Sequence, residues 1–114
     1  MIHHLIDGDT WASARLDALL TPGSLAAEGF VHCCTDSQIR GVIERYYADV
    51  ANLWVLDVDE GALPDGLLRW EPPIDPRTGL ARAGAGAETY PHLYGPIPVP
   101  AVVAATPWAE RSGY

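Results

Sequence analysis

The sequence lacks lysine entirely, so its seven basic side chains are all arginine, and fifteen acidic side chains give a formal net charge of -8. A surface of this sign repels phosphate backbones, which argues against general nucleic-acid binding. The sequence also lacks an apolar stretch of membrane-spanning length and a basic segment leading into an apolar run near its start. We therefore expect a cytoplasmic protein with no membrane partner.

Cysteine is scarce as well, because only Cys33 and Cys34 are present and they are adjacent. A disulfide between neighbours closes a strained ring, so this pair argues against a disulfide framework. No Cys-x-x-Cys or His-Glu-x-x-His spacing occurs, and no metal site is predicted. With 114 residues, of which 48% are apolar, the chain is expected to form a single domain over 1–114.

Short apolar runs predict more strands than helices. These apolar runs are bounded by glycine, proline and aspartate, as strands commonly are. The predicted strands cover 2–6, 30–34, 52–58, 67–71, 90–94 and 101–106, with a surface loop over 72–88. This distribution predicts an α+β fold with small mixed or antiparallel sheets and two main helices in the first half.

Helical spacing is confined to the first half of the chain. A first helix is predicted to begin after Asp9 and to run to about Leu20, and a short turn over 24–28 ends at Gly29. A longer helix is predicted from 35 or 36 to Tyr47. The apolar stripe of the first helix comprises Ala12, Leu16, Leu19 and Leu20.

Two histidines stand in the middle of apolar runs, His4 in the first predicted strand and His32 in the second. A buried imidazole needs a hydrogen-bond partner or a ligand, because its desolvation is otherwise costly. Each histidine is therefore either a core residue bonded to a backbone carbonyl or part of a site. The pair, joined later by His92, favours a shared cleft.

Strand alternation groups further polar side chains on common faces. Arg69 and Glu71 share one face of their strand, where they form either an exposed ion pair or a holder for charged ligand groups. Tyr90, His92 and Tyr94 share one face of the next strand. Three polar-tipped rings are a costly way to fill a dry core, so this face is a candidate wall of a ligand pocket.

Several motifs follow one another in a fixed order along nearly the whole chain. They are His4, Ser24-Leu25, Glu28 to Cys34, Arg45-Tyr46-Tyr47, Arg69-Trp70-Glu71 and Tyr90 to Pro96. In these motifs the chain resembles the family called domain of unknown function 952. It departs from that family at His3, which replaces a tyrosine, and in a Gly/Ala-rich stretch around 79–87.

That family is similar in fold to the ADP-ribosyltransferases and RNA 2'-phosphotransferases. The resemblance implies that His4 contacts the ribose of NAD and that Arg45 or Arg69 neutralises its pyrophosphate. It also implies catalytic roles for His32, beside the nicotinamide ribose, and for Glu71, which would stabilise an oxocarbenium-like transition state. The remaining ligand-binding residues are Ser24, His92 and Tyr94.

The resemblance thus predicts a protein that binds NAD or ADP-ribose, with ADP-ribosyl- or phospho-transferase-like chemistry. Its partner would be a nucleotide or another small molecule. The alternative is a non-catalytic ligand-binding or interaction module that retains the fold. The transferases carry Gly-Thr after the first histidine, whereas Leu5-Ile6 stand here, and the glycine lets backbone approach a dinucleotide closely. This replacement favours the alternative.

We expect no measurable general affinity for DNA or RNA, because backbone binding draws on several simultaneous cation–phosphate contacts. A mobility-shift titration with random-sequence RNA at about 150 mM salt measures it. A shifted band that persists at this salt concentration would contradict the expectation.

Overall fold

The computed structural model describes residues 1–75, 78, 80–81 and 88–110, so much of the loop predicted over 72–88 lies outside the described residues. The strands are β1 (Ile2–Asp7), β2 (Leu19–Leu20), β3 (Val31–His32), β4 (Leu53–Val58), β5 (Leu68–Glu71), β6 (Tyr90–Leu93), β7 (Ile97–Pro98) and β8 (Val102–Pro107). The helices are α1 (Gly8–Ala14), α2 (Gly23–Glu28) and α3 (Ile39–Val42), and α3 continues as a π-helical segment, Ile43–Tyr47. Three 3-10 turns are Glu60–Ala62, Val99–Ala101 and Trp108–Glu110. The α+β class with small antiparallel sheets is confirmed.

Within the described residues, the strands form two three-stranded sheets and a two-stranded pair. The orders are β1-β4-β8, β3-β6-β5 and β2-β7, and every pairing is antiparallel. Strand β1 lies at the edge of its sheet but is buried on both faces. Ile2 and Ile6 pack into one apolar cluster and Leu5 packs into a second. Because both faces are buried, exposed and buried positions do not alternate along β1.

The first two sheets are joined at an isolated antiparallel bridge between His3 and Cys34. The amide of His3 donates to the carbonyl of Cys34 at 2.8 Å, and the amide of Cys34 donates back at 2.9 Å. The strand predicted over 30–34 is therefore regular only at Val31–His32 and bonds to β1 two residues later. Because this bridge is formed by His3, it holds the neighbouring residue His4 close to β3.

The first helix is shorter than the sequence predicts, because α1 ends at Ala14 and not near Leu20. Its N-cap is Asp7, whose carboxylate accepts from the Thr10 amide at 3.0 Å. Leu16 is 80% exposed, and Leu20 lies in β2 opposite Ile97. Tertiary pairing with β7 thus overrides the helical spacing of these leucines.

Helix α2 ends where the sequence predicts, at Gly29, which has a φ of 87° and donates its amide to the Leu25 carbonyl at 3.0 Å. We expect Gly29→Ala to lower the free energy of unfolding by about 1 kcal/mol, because a β-carbon is disfavoured in this left-handed conformation. Urea unfolding measures the change.

Gly23→Ala is the matched control, because Gly23 is the first residue of the same helix and no atom lies within 4 Å of an added β-carbon. We expect it to be neutral or to stabilise by up to about 1 kcal/mol. Equal effects at the two positions would contradict the role of Gly29.

Candidate functional site

His4 is held in one orientation by the backbone. Its side chain is 7% exposed, and Nδ1 donates to the carbonyl oxygen of His32 at 2.8 Å. Burial lowers the pKa of His4 to about 4, so the ring is neutral at neutral pH. Because the carbonyl only accepts, Nδ1 carries the proton and Nε2 presents a lone pair. Across the described residues, no side chain or backbone group bonds Nε2.

An open cleft of about 440 Å³, here called the His4 cleft, lies between β1, α2 and β3. Its polar lining includes His4, His32 and the hydroxyl groups of Thr10, Thr21 and Ser24, while apolar walls come from residues such as Leu20 and Leu53. The structure therefore brings together His4, His32 and Ser24, although β1 and β3 belong to different sheets. Asp7 is the charged residue of the lining. This environment suits a neutral ligand with hydroxyl groups better than an anion.

A second group of polar side chains lies on one face of the β3-β6-β5 sheet. His92, at the centre, is opposite His32 on one side and Arg69 on the other. The His92 ring stacks on Phe30 with centroids 4.2 Å apart, and the rings of His32 and His92 are 5.8 Å apart. His32 thus belongs both to the His4 cleft and to this sheet face.

Glu71 is the hydrogen-bond centre of this face. Its Oε1 accepts from His92 Nδ1 at 2.9 Å and from the Tyr94 hydroxyl at 2.5 Å. The bond from Tyr94 lowers the pKa of Glu71, and the same bond raises the pKa of Tyr94. Burial lowers the pKa of His92. An ionised carboxylate therefore orients a neutral imidazole, as in other carboxylate–histidine pairs.

The two candidate phosphate-binding arginines lie outside the His4 cleft. Arg45 Nη2 donates to the Tyr90 hydroxyl at 3.1 Å, which in turn donates to Glu88. Arg69 is exposed, and its guanidinium lies 4.6 Å from the centre of the Tyr94 ring. Arg45 is therefore already bonded to Tyr90 of the same chain. The side chain of Arg69 is exposed on the face of the β3-β6-β5 sheet that carries His92, Glu71 and Tyr94, here called the His92 face.

Tyr47 lines the His4 cleft, whereas the sequence analysis named it only as the end of a predicted helix and as part of the Arg45-Tyr46-Tyr47 motif. The helix becomes π-helical at Ile43–Tyr47, and π-helical turns frequently occur at functional sites. Tyr47 and His32 line both the His4 cleft and a smaller cavity bounded by His92. These two side chains therefore form the boundary between the cleft and the His92 face. In the sequence, only the adjacent pair Tyr46-Tyr47 could have indicated this role.

Among the described residues, no group of three histidine, cysteine or acidic side chains is arranged to hold a metal ion. Both cysteines are buried, and burial raises the pKa of the Cys33 thiol. That thiol stays protonated and is a poor nucleophile. In the same part of the chain, no helix is long and apolar enough to cross a membrane.

The family described as Protein of unknown function (DUF952) matches residues 5–105. The crystal structure of protein CC0527 from Caulobacter crescentus is similar, with a TM-score of 0.73, 24% identity, and coverage of 93% of this chain and 83% of that chain. The solution NMR structure of CC0527 has a TM-score of 0.68 and 27% identity, covering 93% and 82% of the two chains. No curated protein matches this sequence. The neighbours support the α+β fold described above.

We expect the free energy of unfolding to decrease as the pH falls from 6.5 to 4, because the unfolded chain then protonates His4 while the folded protein keeps it neutral. Each pH unit of this window costs about 1.4 kcal/mol, so His4 accounts for a loss of roughly 3 kcal/mol. His4→Gln should remove this part of the loss. Urea unfolding of both proteins across the window is the measurement, and parallel stability curves would contradict the assignment.

Proposed function

The chain belongs to the DUF952 family, and we propose that it binds a nucleotide of the NAD or ADP-ribose type with its ribosyl part in the His4 cleft. The observation that carries the proposal is the neutral His4 ring, tethered through Nδ1 and open at Nε2. A lone pair of this kind accepts a hydrogen bond from a ribose hydroxyl. The cleft volume lies within the range of small-molecule sites.

The other lining groups support a sugar ligand. Thr21 and Ser24 offer hydroxyl groups that both donate and accept, and the apolar wall at Leu20 and Leu53 suits the faces of a ribose or a base. The expected resemblance of the family's fold to that of the ADP-ribosyltransferases is the reason for proposing a nucleotide among hydroxyl-bearing ligands.

The anionic part of the ligand is assigned to the His92 face. The Arg69 guanidinium makes no hydrogen bond or ion pair within the described part of the chain and lies over the Tyr94 ring, 4.6 Å from its centre. A guanidinium in this state is suited to bidentate binding of a phosphate. Arg45 is not proposed for this role because it already donates to Tyr90.

Transferase chemistry is proposed for His32 and Glu71. His32 lines the cleft where the ribose would lie, and Glu71 is held ionised by Tyr94 and His92. If the glycosidic bond lies beside Glu71, where the ligand would run from the cleft toward Arg69, this negative charge would stabilise the positive charge that develops as the bond breaks. As nicotinamide leaves, the hydroxyl of water or of an acceptor molecule would form the new bond to the ribose and give up its proton, so the proposal predicts release of nicotinamide from NAD.

The second candidate is a binding module without catalysis. It is favoured by the position of Glu71, whose Oε1 already accepts two hydrogen bonds and whose side chain lines neither the His4 cleft nor the smaller cavity beside His92. Such a module would bind the same nucleotide and release no nicotinamide.

Thermal unfolding with NAD, ADP-ribose and nicotinamide tests the binding. A ligand at about one hundred times its Kd stabilises the folded state by about 2.7 kcal/mol, so a rise in Tm is expected for the wild type. His4→Gln and Ser24→Ala should reduce the rise, whereas Ser13→Ala, outside the cleft, should retain it. Absence of any Tm change with all three ligands would contradict the proposal.

An assay of nicotinamide release separates the two candidates. The transferase predicts release that is lost in Glu71→Gln while the ligand-induced rise in Tm remains. If the wild type binds NAD and releases nothing, the binding module is supported.

A further inference from the structure

Glu28 is a half-buried carboxylate that bonds the His32 ring. Its Oε2 accepts a hydrogen bond from His32 Nε2 at 2.8 Å, and each side chain is 16% exposed. Its other oxygen, Oε1, is sealed from solvent without a partner and is the sole side-chain atom of this kind among the described residues. A buried unsatisfied carboxylate oxygen is costly, so its retention calls for a physical reason.

The pair is built into one short segment of chain. Glu28 is the last residue of α2, and Gly29 at a φ of 87° turns the chain so that His32 returns over the carboxylate. Phe30, between them, packs against the His32 ring with centroids 4.8 Å apart. Turn, ring contact and hydrogen bond therefore fix the imidazole in one orientation.

The chemistry of the acceptor determines which nitrogen of His32 is free. An ionised carboxylate only accepts hydrogen bonds, so Nε2 carries the proton that it donates to Glu28. In the neutral ring the lone pair then lies on Nδ1. This nitrogen has no hydrogen-bond partner within the described residues, and it is not sealed from solvent as Glu28 Oε1 is. The ring lines the His4 cleft.

We infer that Glu28 is a positioning residue that holds His32 as the Nε2–H tautomer, so that Nδ1 accepts a hydrogen bond from a hydroxyl or amide group of the ligand. The inference rests on the proposed function for its ligand and on the geometry of residues 28–32 for its tautomer. Carboxylate–histidine pairs fix ring tautomer and orientation in other sites in this way.

The tautomer is measured by NMR of the protein labelled with 15N in its histidines, with His32 assigned from its absence in His32→Gln. We expect a protonated Nε2 and an unprotonated Nδ1 in the neutral ring. Glu28→Gln should keep this pattern, because the amide oxygen still accepts from Nε2. Glu28→Leu should give a mixture of the two tautomers, because nothing then accepts from Nε2. Glu28→Asp has a shorter side chain and should give a tautomer ratio between those of the wild type and the leucine variant. If the leucine variant does not fold, the aspartate variant decides the test.

Glu44→Leu is the matched control, because Glu44 is exposed on the π-helical segment and the substitution should leave the His32 spectrum unchanged. An unchanged tautomer in Glu28→Leu, or in Glu28→Asp where that variant decides, overturns the inference. The affinity for NAD should fall about tenfold in the variant that loses the tautomer and stay near wild type in Glu28→Gln. Loss of the tautomer with unchanged affinity overturns the ligand role. If the wild type binds no nucleotide, the proposed function fails, while the spectra still decide the tautomer.

Discussion

Two backbone hydrogen bonds between His3 and Cys34 determine where the candidate site forms. They join a strand of the first sheet to the chain leaving β3 and so place the His4 ring against the carbonyl of His32. The side chain of His3 reinforces the junction, because its ring nitrogens bond Asp57 and Asp36. This histidine therefore bonds two carboxylates at once. The cleft is therefore a product of how the two sheets meet, and neither sheet contains it alone.

The three imidazoles around the site follow a common rule. Each donates from one ring nitrogen to a protein acceptor: His4 to a carbonyl, His32 to Glu28 and His92 to Glu71. In the neutral ring, the second nitrogen is then an acceptor, so the site as a whole presents lone pairs. A ligand that fits must bring donors, as ribose hydroxyls and a carboxamide do. Recognition by hydrogen bonding agrees with a chain that has no lysine and a formal charge of -8.

The spacing of residues along the sequence predicted those features of the fold and of the site that depend on neighbouring residues alone. Alternation predicted that His92 and Tyr94 share one face, and both bond Glu71 in the structure, because side-chain direction in a strand follows from residue number alone. The prediction that the first helix continues to Leu20 was wrong beyond Ala14. Leu20 pairs with Ile97, and no local pattern contains a contact between such distant parts of the chain. The same limit applies to Glu28 and Tyr47. Their roles depend on the turn at Gly29 and on the π-helical segment, and neither is encoded by apolar spacing.

The buried polar groups that lower the stability of this protein are concentrated around the His4 cleft. A buried neutral His4 and a sealed carboxylate oxygen of Glu28 both lower stability relative to apolar side chains of similar size. Elsewhere, polar groups have ordinary structural roles: Asp59 accepts from the Gly61 amide, and Gln38 donates to the carbonyl of Thr89. A histidine needed only to donate to the His32 carbonyl would gain nothing from an open Nε2. The two penalties occur where His4 and His32 line a common space, and this coincidence supports the proposed ligand site, because functional groups are often held at a cost in stability.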